Sequence, residues 1–260
     1  AEMLVRGDAD VAFNASGGMH HAAPDFASGF CIFNDIVIII KSLLKQGFRV
    51  AYVDIDAHHD DGVQDAFYSN PQVLKISIHE WGKYLFPGTG EVTEIGEGEG
   101  KGFNVNIPLS PLTDDSVYMR VFRELVPPLM QSFKPDIVVT QLGCDTHYLD
   151  PLTHLNLTTE GYTDAIRELR SLSPRWVALG GGGYEIGVVA RSWTLAYGIM
   201  IGKEWDDEIP QEYRMNYGLT NLRDKDKPQV DAPTRDRVEY FAQWCINEVK
   251  KLVFPIHGIK

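Results

Sequence analysis

RVAYVDIDAHHDDG, residues 49–62, runs from an apolar strand directly into a cluster of ionisable groups. Val50–Val53 is a stretch that any folded domain buries. The segment 54–62 that follows carries four aspartates and two histidines. A buried carboxylate without a partner costs several kcal/mol, comparable to a domain's whole net stability, so something must compensate. A metal ion is the leading candidate. In an extended chain residues i, i+2 and i+4 point the same way, which puts Asp54, Asp56 and His58 on one side as the strand ends. The D-x-H pair of Asp56 and His58 offers oxygen and imidazole, donors suited to a divalent metal. A solvated acidic loop is the plainer reading, and it is weakened because both aspartates adjoin apolar strand residues.

Further apolar runs at Val73–Ile78, Val105–Ile107, Ile137–Leu142 and Trp176–Leu179 repeat the pattern of Arg49–Val53. Between and after them lie helix-like segments at 33–45, 115–132, 159–171, 187–201 and 234–252. Continuous apolar strands alternating with helices predict one α/β domain over 1–260, a central mostly parallel sheet with helices on both faces. Segment 203–233 is charged and holds three prolines, and is expected to be a long surface connection. Polar clusters follow the strands: DIDAHHDDG, HEWGKYLFPGTG (79–90), GCDTHYLDP (143–151) and GGGGY (180–184). Loops at the carboxyl ends of parallel strands share one edge of the sheet, where such folds bind ligands.

From that edge Asp145 is placed to complete a metal site, with Gly143 permitting close backbone approach, although alone it reads equally as a helix cap or turn residue. Two Asp and one His leave a position open for water, as a catalytic zinc site requires. Upstream, GGMHHAAPDFASGFCIFND (17–35) sets His20 and His21 in tandem before a helix, a pattern that points to proton transfer. Such imidazoles need orienting carboxylates, and Asp54 and Asp61 remain once the ligands are assigned. GGGGY has no phosphate-loop GK[ST] or GxGxxG continuation. A backbone stripped of side chains and then a phenol suits a narrow pocket with Tyr184 aimed at a developing oxyanion, although a flexible turn would look the same.

Composition narrows the classes. The chain has 260 residues, 44% hydrophobic and 23% charged, with a formal charge of −12, which argues against a nucleic-acid binder. The acidic balance favours solubility and would also suit a cationic substrate. Cys31, Cys144 and Cys245 are too few and too scattered for a disulfide framework or a CxxC site, which favours a reducing, cytoplasmic setting. No apolar run reaches membrane-spanning length and no signal peptide is evident, so neither membrane nor nucleic acid is expected as a partner.

Together HHAAPDFASGFCIFND, DIDAHHDDG, FPGTGE, QLGCDTHYLDP and GGGGY resemble the zinc-dependent histone deacetylase family, and most its bacterial and archaeal acetoin-utilisation-type members. The likeness runs from about residue 14 to 200. It implies the arginase/deacetylase fold and a hydrolase that removes acetyl groups from lysine side chains. Carried over, it implies Zn2+ on Asp56, His58 and Asp145, and His21 with Asp61 as general base and acid. His20 with Asp54 would be an electrostatic partner, and Tyr184 the donor to the substrate carbonyl. Phe30 and Phe86 would line the acyl-lysine tunnel, Gly29 would accept from the amide N–H, and a structural K+ would lie near Asp54, the 56–58 backbone, Ser77 and Ile78. The substrate would be an acetylated protein or a small acetyl-amine. Three departures stand out. Met19 replaces a bulkier residue, Asp60 replaces the glycine of HHGDG, and the family's N-terminal segment has no counterpart here.

Two rivals share parts of this pattern. DAHHD (56–60) and DTHYLDP (145–151) resemble motifs of arginase-like ureohydrolases with dinuclear manganese, but His147 stands where a second metal-binding aspartate is expected. A catalytically inactive acyl-lysine binding subunit is the other.

Overall fold

A computed structural model describes residues 1–260. In chain order it contains α1 (Glu2–Arg6), β1 (Val11–Asn14), α2 (Asp35–Leu44), β2 (Val50–Asp54), α3 (Asp61–Phe67), β3 (Val73–Glu80) and β4 (Asn104–Leu109). There follow α4 (Asp115–Phe133), β5 (Ile137–Gln141), α5 (Thr159–Leu172), β6 (Trp176–Leu179), α6 (Ile186–Met200), α7 (Gln211–Tyr217) and α8 (Ala232–Leu252). The six strands form one sheet in the order β1-β6-β5-β2-β3-β4. Every neighbouring pair is parallel.

Strand alternation sorts the core into two layers. Ala51, Val53, Leu74, Ile76, Val138, Trp176 and Ala178 face α4, α5, α6 and α8 in the larger cluster. Val50, Tyr52, Val73, Ile137, Val139, Val177 and Leu179 face α2 and α3 with Leu4 in the smaller one. Trp176 is fully buried, and its Nε1 donates to Thr140 Oγ1 at 2.8 Å, so its one polar atom is satisfied. Toward β3 and β4 the α3 face turns polar: Lys75, Ser77, His79, Asn104 and Asn106 are all buried there.

The chain runs outward from β2 through β3 to β4 and then returns to β5 and β6 on the other side of β2. The strand order therefore reverses between β2 and β5. Such a switch point opens a crevice at the carboxyl ends of its two strands, because the crossovers leave in opposite directions. Asp56 and His58 follow one of those strands and Asp145 the other.

Three elements differ from the sequence expectation. β1 lies at the sheet edge as a four-residue strand, only partly buried and following GDAD, so no continuous apolar run marks it. The last two residues of DIDAHHDDG, Asp61 and Gly62, form the first turn of helix α3 rather than part of the loop. Segment 203–233 is mostly exposed, as expected of a surface connection, but it contains α7, leads into α8 at Ala232, and buries one acidic side chain, that of Asp224.

Candidate active site

The ligand atoms of Asp56, His58 and Asp145 lie within 4.8 Å of one another, and all three residues are buried. His58 Nδ1 stands 3.0 Å from Asp56 Oδ1 and 2.9 Å from Asp145 Oδ2. Burial disfavours charge on His58, but hydrogen bonds to Asp145 and Asp56 outweigh it and push its pKa up to about 11. Burial, then the negative charge of Asp56, raises the Asp145 pKa. Two buried carboxylates held side by side make a pocket that favours a cation, and an O, N, O donor set suits a divalent one.

The two carboxylates are held by the backbone around them and by Gln141. Asp145 Oδ1 accepts from Ala57 N at 2.8 Å, and Asp56 Oδ2 accepts from Gly182 N at 2.7 Å and Gln141 Nε2 at 2.5 Å. Gln141 Oε1 in turn accepts from Gly143 N at 2.6 Å. The glycine loop is thus in the site's wall. A Cβ on Gly182 would fall inside van der Waals contact of the Asp145 and Asp56 carboxylates, and one on Gly143 would strike Asp56.

The histidine pair sits beside this cluster, with ring centroids 4.0 Å apart. Asn34 both caps α2 and donates to the carbonyls of His20 and Ala22, while Asp35 accepts from Gly18 N and Met19 N, so the helix start fixes the segment carrying the histidines. His20 Nδ1 is 2.8 Å from Asp54 Oδ2, which also accepts from the Tyr52 hydroxyl at 2.5 Å. Burial opposes charge on His20, but Asp54 and Asp56 prevail and raise its pKa to about 9. His21 Nδ1 is 2.7 Å from Asp61 Oδ1. Its pKa is lowered, first by burial and then by the charge on His20, with Asp61 opposing. Two adjacent imidazoles are therefore driven to opposite protonation states, the pattern that separates acid from base roles in active sites.

Aromatic rings surround the cluster. Phe86 stands edge-on to His21 at 5.0 Å, and Tyr184 lies 6.2 Å from His58 and 6.0 Å from Phe30, ring centre to ring centre. Gly29 and Phe30 both adopt left-handed backbone, φ +51° and +64°; a Cβ at Gly29 would collide with the His21 ring. The Tyr184 backbone N–H donates to Asp150 Oδ2 at 2.8 Å, and burial with Asp56 and Asp145 nearby holds its phenol protonated. Asp54 pairs in register with Ser77, whose Oγ lies 2.8 Å from His79 Nδ1, and Ile78 is buried beside it.

Several contributors lay outside the sequence reading. Asp60 is fully buried and faces inward; its Oδ1 lies 2.7 Å from Lys75 Nζ, an ion pair by distance with no donor aligned on either oxygen. The Lys75 ammonium also donates to Asn106 Oδ1 at 2.6 Å. His59 reaches Thr89 Oγ1 at 2.8 Å and Gln64 Oε1 at 3.1 Å, which ties the metal loop to the loop bearing Phe86. A lysine inside VLKISI and a glutamine inside IVVTQLG were the available signals, since neither belongs in a buried strand without a partner.

A doubly wound parallel sheet thus gathers the Asp–His–Asp group, the histidine pair and Tyr184 at its switch point. Residues 1–200 match the histone deacetylase domain family, and the chain belongs to it. It is 44% identical over 220 residues to the acetoin utilization protein AcuC of Bacillus subtilis, an alignment covering 82% of this chain and 57% of that protein. It is 41% identical over 236 residues to histone deacetylase 19 of Arabidopsis thaliana, covering 87% and 47%. The chain spans about half the length of the curated relatives it matches. Among solved structures it superposes on a histone deacetylase homolog complexed with SAHA with TM-score 0.85 at 34% identity, over 94% of this chain and 69% of that one. A homolog from Aquifex aeolicus gives 0.83 at 35%, over 93% and 69%. The fold is the arginase/deacetylase fold. No helix is long and apolar enough to cross a membrane.

Proposed function

We propose that this chain is the catalytic domain of a zinc-dependent deacetylase that hydrolyses the amide of an acetylated lysine side chain. The observation that carries the reading is the convergence of Asp56, His58 and Asp145 within 4.8 Å at the switch point, beside an imidazole kept neutral and a phenol kept protonated. Held by those three residues, zinc would lower the pKa of a bound water from about 16 to about 7 and polarise the acyl carbonyl.

The protein groups supply the rest. His21 donates its Nδ1–H to Asp61, which leaves Nε2 free to take the water's proton. The hydroxyl of Tyr184 donates to the carbonyl oxygen as negative charge develops on it. His21 then returns the proton to the departing amine, giving acetate and a free lysine side chain. His20, whose pKa Asp54 and Asp56 raise, stabilises negative charge and keeps its neighbour neutral. Phe30 and Phe86 flank the lysine methylenes, and the Gly29 carbonyl accepts from the substrate amide. Asp54, Ser77 and the carbonyls of 56–58 and Ile78 would hold a structural K+.

The ureohydrolase reading is disfavoured by a specific contact: His147 Nε2 is 2.8 Å from Asp224 and so is engaged away from the Asp56–His58–Asp145 cluster. The test is a fluorogenic acetyl-lysine peptide and an acetylpolyamine assayed with chelator and with zinc restored. Turnover of the peptide that chelator removes and zinc returns is expected. Zinc binding without any turnover of either substrate would favour the inactive binding subunit, and urea release from arginine with manganese would favour the ureohydrolase.

A further inference from the structure

Asp224 carries the one buried acidic side chain of a mostly exposed segment. Its side chain is 7% exposed, and it meets three separate elements. Oδ2 accepts from His147 Nε2 at 2.8 Å and from Thr159 N at 2.8 Å, where α5 begins. Oδ1 accepts from Arg191 Nη1 at 2.8 Å on α6, and Asp224 N returns a bond to Thr159 Oγ1 at 2.9 Å. Arg191 is itself buried, and it also donates to the carbonyls of Gly187 and Leu222. Thr158 already caps α5, so the helix start does not require Asp224.

The consequence runs through His147. Because Nε2–H donates to Asp224, Nδ1 is left as an acceptor, and Leu149 N donates to it at 3.2 Å. That fixes the turn between Asp145, whose oxygens reach His58 and Ala57, and Asp150, which accepts from Tyr184 N. The same loop is joined to the glycine run, where Cys144 N donates to Gly182 O at 2.7 Å. One carboxylate thus ties the loop bearing a candidate ligand to the helix that follows Tyr184.

We propose that Asp224, acting through His147, is a positioning residue for the metal centre. It locks the 145–150 turn so that the Asp145 carboxylate and the Tyr184 backbone stand together. The inference rests on the zinc reading above. A side chain that only braced the surface would leave metal affinity alone. Partners that orient a ligand from behind typically account for 10–100-fold in metal affinity.

The test measures zinc affinity together with amide hydrogen exchange of 143–151 in metal-free protein. Asp224→Asn is expected to weaken zinc binding about 10–100-fold and to speed exchange at Leu149 and Asp150. Lys227→Ala, which removes an exposed ion pair to Glu160 from the same segment, is expected to change neither. Should Asp224→Asn not fold, His147→Gln decides the matter: its amide reaches Asp224 from the Nε2 position but leaves no acceptor for Leu149 N, so it should weaken zinc binding about 10–100-fold with the fold retained. Zinc affinity within about threefold of parent in Asp224→Asn with unchanged exchange, or in a folded His147→Gln, would overturn the proposal. A parent that binds no zinc, but whose loop exchange still responds to Asp224→Asn, would overturn the zinc reading and leave the clamp standing.

Discussion

The loops after β2 and β6 wall the same pocket with opposite means. Residues 54–62 carry six ionisable side chains, Asp56 and His58 at the pocket among them, and 180–183 carry none. The first loop supplies charge, and the second supplies room for it: Asp56 and Asp145 occupy the space that a side chain on Gly182 would need, and the Gly182 N–H donates to Asp56. Buried carboxylates need donors close on every side, and backbone N–H groups approach closest where no Cβ intervenes. The empty-looking loop is therefore as specific as the charged one.

The largest break in that comparison comes from the charged side. Asp56→Ala should abolish zinc binding and deacetylation together, because a three-ligand site does not survive loss of a charged ligand. One equivalent of zinc retained by the purified variant would remove Asp56 from the ligand set. Tyr184→Phe, from the other loop, should lower kcat about 10²–10³-fold with zinc content unchanged, the scale for deleting an oxyanion donor. A loss below about threefold would mean that the phenol does not reach the carbonyl oxygen.

Gly182→Ala sharpens the contrast, because it alters no ligand and no charge. The new methyl must displace the Asp56 and Asp145 carboxylates, so zinc affinity should fall about 10-fold or more by metal titration. Parent-like affinity would show that the glycine run is only a flexible turn. Asp61→Asn should have the smallest effect. Asp61 raises the His21 pKa against burial, so its loss should let that pKa fall further. Since His21 must be neutral to act as a base, the acid limb of the kcat/KM profile should move to lower pH, with zinc retained. A limb that stays put, or moves up, would place the titrating group elsewhere.

What the sequence made legible follows from how local each interaction is. Asp56 and His58 are two residues apart on one strand end, and the alternation of an extended chain is enough to pair them. Asp145 was within reach because its loop, like theirs, follows an apolar run. The other five strands were legible for the same reason, whereas β1 is the half-polar VAFN directly after GDAD. Gln141, Lys75 and Asp224 could not be placed in the same way. Gln141 meets Asp56 across 85 positions of sequence, Asp224 meets His147 across 77, and only the packed sheet and its return crossover bring them together. Asp60 shows the limit most clearly. As a departure from HHGDG it could have faced water, and its inward turn depends on a lysine from the next strand.

That buried lysine also bears on how the protein should respond to salt. Lys75 and Asp60 lie out of solvent, with side chains 2% and 0% exposed, so mobile ions cannot enter between them. The formal charge of −12, in contrast, is carried largely by groups at the surface, where roughly 0.15 M electrolyte screens interactions beyond about 8 Å. Attraction of a cationic peptide from a distance and conduct of the reaction once it is seated thus answer to two separate sets of charges. Raising ionic strength should slow capture and lower kcat/KM for a basic peptide while leaving kcat nearly constant.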